Sequence, residues 1–89
     1  MSKQINTYRY LLVRVEYPAE RGYRMEPKPL PDWIHFTITE DKEKDCKYLT
    51  VYSRLHLNKE VRIGCIYSLD YKDRDIIKDQ SYAISKAFL

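Results

Sequence analysis

Apolar and polar residues alternate along most of this chain. Between Tyr8 and Tyr17, Leu11, Val13, Val15 and Tyr17 alternate with Leu12, Arg14 and Glu16, the period of a half-buried strand. A second strand is expected over Trp33–Thr39, with Ile34, Phe36 and Ile38 on one side and Trp33, His35, Thr37 and Thr39 on the other. A third runs from Lys47 to Leu57, setting Leu49, Val51, Ser53, Leu55 and Leu57 against Tyr48, Thr50, Tyr52, Arg54 and His56. A fourth runs from Val61 to Tyr71, and Gly64 within it signals a bulge, a tight bend or the close approach of another backbone. Between the second and third, Glu40 to Asp45 is charged throughout and predicts a solvated hairpin tip; Asn58-Lys59-Glu60 makes the next turn.

Two stretches break the alternation. Residues 18–32 hold all four prolines (Pro18, Pro27, Pro29, Pro31) and Gly22. Proline offers no donor to a central ladder, so the stretch predicts a long loop with a polyproline-like segment at 27–31. Residues 73–89 admit two readings. Asp73-Arg74-Asp75 can start a helix that aligns Ile77, Ile84 and Phe88. Alternatively, Lys78-Asp79-Gln80 turns into a fifth strand with Tyr82, Ile84 and Phe88 on one face. Tyr82 and Ile84 favour β structure and a polar turn precedes them, which tips the balance to the strand.

The 89 residues correspond to one small domain spanning 1–89. The expected fold is mainly β: a small antiparallel sheet of four to five strands curled into a barrel or half-barrel, or α+β if a C-terminal helix packs on it. Its short strands, charged hairpin and aromatic outer face make it similar in outline to oligonucleotide-binding-type barrels, a likeness of architecture and not of family. Charge is interspersed, with six basic and four acidic groups in 1–32, five of each in 33–60, and five and four in 61–89. The net charge of +3 is only a mild basic bias. The longest candidate apolar run, Leu11-Leu12-Val13, predicts neither a signal peptide nor a membrane span. Cys46 and Cys65 form no close-spaced pair, which favours a reducing, cytoplasmic setting over a disulfide.

Most site chemistry is absent. Two glycines cannot build a dinucleotide or phosphate-cradling loop. His35, Cys46, His56 and Cys65 lack metal-finger spacing, so no metal and no cofactor is expected. The acidic tip lacks the order and glycine of a calcium loop, and Lys42, Lys44 and Lys47 oppose a cation there. The serines sit in no nucleophile elbow, and Cys65, on the apolar face of its strand, is a structural thiol. No enzyme is expected.

Two surfaces remain. Trp33, His35, Tyr48, Tyr52, Arg54 and His56 project from one side of the second and third strands if these pair as a hairpin, with Tyr10, Arg14 and Arg62 as neighbours. Aromatic and cationic side chains interleaved on a sheet can stack bases and meet phosphates, and nine of the twelve aromatics are Tyr, which also suits protein interfaces. The second surface is the proline loop, with Arg21, Tyr23, Arg24 and Lys28. The favoured reading is a non-enzymatic protein-interaction domain, such as a small inhibitor or adaptor of a phage or mobile element. Single-stranded nucleic-acid binding is the alternative. A homodimer through exposed strand residues such as Leu12 and Ile66 is a further expectation.

Overall fold

Six strands and one long helix make up the chain, in a computed structural model that describes residues 3–56 and 59–89, without the side chains at 59 and 63–65. The strands are β1 (Lys3–Tyr8), β2 (Tyr10–Tyr17), β3 (Gly22–Pro29), β4 (Ile34–Asp41), β5 (Cys46–Ser53) and β6 (Lys59–Tyr67), followed by helix α1 (Asp73–Phe88). All pairing is antiparallel. Four strands form one sheet in the order β1-β4-β5-β6, and β2 and β3 form a separate two-stranded hairpin.

The alternation in β4 and β5 has the expected result. Register pairs Phe36 with Val51 and Ile38 with Leu49, so these side chains and Ile34 share one buried face. Of the charged stretch expected as a solvated tip, only Lys42–Asp45 form the turn, where Asp45 adopts the left-handed conformation that Asp tolerates; Glu40 and Asp41 belong to β4, and Asp41 is buried. In β6, four steps from Ile63 to Tyr67 oppose two steps of β5, so the irregularity expected at Gly64 falls within this span. The expected placement of Cys65 on the apolar face, and the turn at Asn58 with Leu57 before it, lie outside the described residues and side chains.

Three expectations are corrected. The sheet does not close into a barrel: β1 and β6 remain its two edges. Residues 73–88 are a helix, not a fifth strand. Its buried positions Ile76, Ile77, Gln80, Ser81 and Ile84 recur at helical spacing. A strand would have sent Ile76 and Ile77 to opposite faces, whereas the helix buries both and covers the apolar face that a half-open sheet leaves bare. Asp73 and Asp75 in its first turn and Lys86 in its last complement the helix dipole.

The third correction is the proline loop. Pro18–Glu20 is one turn of 3-10 helix, Arg21 is left-handed, and residues 22–29 are strand β3. The prolines fit because of their spacing. Leu30 N–H donates to Arg9 C=O at 2.9 Å, and the register pairs Leu11 with Lys28 and Leu12 with Pro27. Bonded pairs alternate in an antiparallel ladder, so even-numbered residues of β3 bond to β2 and odd-numbered ones face outward. Pro27 and Pro29 both fall on outward positions, where no donor is needed. β1 was not anticipated either: its residues Lys3–Tyr8 pair with β4 from Lys3–Asp41 to Tyr8–Phe36.

The core contains Leu11 and Leu12 from β2, the inner residues of β4 and β5, Tyr67, and Ile76, Ile77 and Ile84 of the helix. Leu12, expected to be exposed, is only 2% accessible because α1 packs on β2; Ile66 is exposed. A polar hub ties β1 and β5 to the start of the helix. Asp73 accepts from Asn6 Nδ2 at 3.0 Å, from Lys47 Nζ at 3.3 Å and from the Tyr8 hydroxyl. Lys47 Nζ also donates to Tyr71 C=O at 2.7 Å. Burial opposes ionisation of Asp73, but the Tyr8, Asn6 and Lys47 donors outweigh it and hold the carboxyl below its ordinary value. Burial, then the bond to Asp73, pushes the Tyr8 hydroxyl above the usual tyrosine range.

Candidate interaction site

A cleft of about 340 Å³ opens where the β2–β3 hairpin meets α1. Leu11, Leu12, Val13 and Met25 supply its apolar lining. Arg14 and Lys28 of the hairpin, with Lys78 of the helix, bring three cations to it, and Ser81, Tyr82 and Ser85 complete the helix side. The two elements are fastened by Ser81: its Oγ donates to Ile77 C=O at 2.6 Å and accepts from Leu12 N–H at 3.0 Å. Tyr82, next to this anchor, is 74% exposed, a large amphipathic side chain of the kind that anchors interfaces.

The charges of the cleft are unevenly matched. Arg14 pairs with Glu16 at 3.5 Å and lies over the Tyr23 ring at 4.0 Å. Lys28 and Lys78 have no ion pair or hydrogen bond among the described residues. Among the described residues, no carboxylate lines the cleft.

Of the residues expected on the proline loop, Lys28 lines the cleft. Arg21 sits in the hairpin turn, and Arg24 lies over the Tyr17 ring at 4.9 Å while pairing with Glu20 at 3.2 Å. Tyr23, half exposed, stacks under Arg14. The hairpin thus orders these side chains on its two strands and turn.

The face expected from strands two and three is divided. His35 and Tyr52 stack at 4.8 Å between ring centroids, and Arg62 lies over Tyr48 at 4.2 Å, on the sheet face away from the helix. Trp33 and His56 are not with them. Trp33 packs on the core and approaches His56 at 6.1 Å, and His56 meets Phe88 edge-on at 5.5 Å. The reason is that the third strand stops at Ser53: Arg54–His56 is a 3-10 turn, which ends the alternation that would have aimed His56 outward. Arg54 is exposed on that turn, its N–H donating to Trp33 C=O at 2.8 Å. Burial, then the Arg9 charge, lowers the His35 pKa, against the opposing pull of Glu60.

Ser81, Tyr82, Ser85 and Lys78 were missed by sequence reasoning. Their signal exists only if 73–88 is read as a helix, where 78, 81, 82 and 85 share one side at spacings of three and four. Among the described residues, no three His, Cys, Asp or Glu side chains gather as a metal site, and no helix is long and apolar enough to cross a membrane.

Residues 6–85 match a protein family described as "Domain of unknown function (DUF7300)". No curated protein and no solved structure matches the chain.

Proposed function

The chain belongs to the DUF7300 family, and from that premise we propose that it is a non-enzymatic protein-interaction domain, a small inhibitor or adaptor that holds a segment of its partner in the cleft between the β2–β3 hairpin and α1. The observation that carries this reading is the cleft itself, apolar within and fringed by the exposed Tyr82 and by Lys28 and Lys78, which have no ion pair among the described residues. Apolar interiors with polar rims are how protein interfaces gain both affinity and orientation. We place the protein in the cytoplasm, where a free Cys46 thiol stays reduced.

The test is to select binders from a displayed library of random linear peptides and map them by amide chemical shifts. Shifts centred on Leu12, Val13, Ser81 and Ser85 are expected, with affinity falling about tenfold in Tyr82→Ala, a hot-spot loss of roughly 1.4 kcal/mol. A library yielding no binder, or binders that shift only the far sheet face, overturns the proposal.

A second reading rests on the Tyr48–Arg62 and His35–Tyr52 pairs: single-stranded nucleic acid stacking on the outer sheet face. These rings already spend one face on a neighbour, and Glu60 stands opposite Tyr52, so the first reading is favoured. Salt-sensitive binding of labelled oligonucleotides, lost in Tyr48→Ala, supports the second; no binding at low salt removes it.

A further inference from the structure

We propose that the occupant of the cleft is an acidic segment in extended conformation, which adds to the free edge of β2 as a third strand. The inference rests on the interaction reading above and specifies the partner's chemistry.

The hairpin has two edges of opposite character. On β3, outward positions 27 and 29 are prolines, which block strand addition. On β2, the same alternation turns the N–H and C=O of Leu12, Arg14 and Glu16 away from β3. Ser81 Oγ already accepts the Leu12 N–H. Among the described residues, β2 has β3 as its one strand neighbour, so Arg14 and Glu16 offer two donors and two acceptors at strand spacing. The cleft opens beside this edge, since Leu12, Arg14, Ser81, Tyr82 and Ser85 all line it. A two-stranded hairpin is marginal by itself, and a third strand is the addition that stabilises it.

Charge selects the segment. Among the described residues, Lys28 and Lys78 have no ion pair and no carboxylate lines the cleft, although Lys78 also borders Asp75 and Asp79 on the helix's other side. A strand that places one apolar side chain over Leu12 and Met25, with Asp or Glu at neighbouring positions, meets both demands. Strand addition gives affinity through the main chain, and the pocket gives selectivity through alternate side chains.

Peptides selected on the domain and shown by amide shifts to occupy the cleft are the probes. They are expected to be acidic, with a central apolar residue. N-methylation of a peptide nitrogen that faces β2 should weaken binding about tenfold, from the loss of one hydrogen bond and the added clash. Methylation at the alternate nitrogens should leave binding within twofold. Lys28→Glu with Lys78→Glu, both exposed positions, should cut affinity for acidic peptides at least tenfold and raise it for a Lys-substituted version. Cleft binders that are basic, that bind as helices, or that ignore N-methylation overturn this inference while leaving the interaction reading in place. Absence of any cleft binder overturns both.

Discussion

Replacing Asp73 with Asn removes one negative charge from the point where β1, β5 and α1 meet. The carboxylate accepts from Tyr8, Asn6 and Lys47. An amide oxygen at the Oδ2 position keeps Asn6 and Tyr8, without the charge, but turns an N–H donor toward Lys47. Hydrogen bonds to charged groups contribute about 1.5–3 kcal/mol each. The side chains of Asp73 and Lys47 are 18% and 11% accessible, so water screens part of the loss. Lys47 also keeps Tyr71 C=O, and Glu40 at 3.9 Å. Taking the low end for the lost Lys47 bond, plus the weakening of the two bonds that lose their charge, gives about 2–3 kcal/mol for Asp73→Asn. For a domain of this size each kcal/mol moves Tm by roughly 4–8 °C, so a drop of about 10–20 °C is expected at pH 7. The sign of the pH dependence is fixed by the depressed Asp73 pKa. Its contribution is fully present above the unfolded carboxyl value and is lost as pH falls through the lower folded value. Urea unfolding of wild type and variant at pH 7 and pH 2 measures this directly. The stability difference should be smaller at pH 2 than at pH 7. A difference unchanged between the two pH values, or below about 0.5 kcal/mol at pH 7, would refute the charge-based account of the hub.

Ser81→Ala leaves the buried Leu12 N–H without its acceptor and should destabilise by about 1–3 kcal/mol, with faster amide exchange at Leu12 than at Leu11. Pro27→Val with Pro29→Val should leave the hairpin folded but unblock the β3 edge, so that size-exclusion chromatography shows concentration-dependent self-association; a strictly monomeric variant would show that the prolines are not edge guards. His35 should titrate below its ordinary value of 6.5 by proton NMR, and further down in Glu60→Gln. Because the folded state disfavours the charged ring, its share of stability is lost as pH falls below 6.5.

By itself the sequence determined those elements whose side chains alternate at period two between a buried and a wet surface. β4 and β5 were legible because burying one face makes register and alternation the same constraint, whereas β2 buries both Leu11 and Leu12 and β6 leaves Val61 exposed. The charged turn at 42–45 was legible for the converse reason. Absence of phosphate-loop glycines was legible because those motifs are local. The tertiary structure decided the rest. The period-two prolines at 27 and 29 read as a loop, since only a known strand partner reveals that their missing donors face outward. Residues 73–88 balanced between helix and strand in isolation, and the bare apolar face of the four-stranded sheet is what the helix covers. That choice also decided the candidate site. Trp33 and His56, assigned to the outer face by alternation, instead lie near each other, with His56 against Phe88, once the strand ends at Ser53. Lys78, Ser81, Tyr82 and Ser85 reached Leu12 and Lys28 only because a helix carried them there. A cleft between elements more than forty residues apart has no local pattern to announce it; it exists when packing brings two surfaces together.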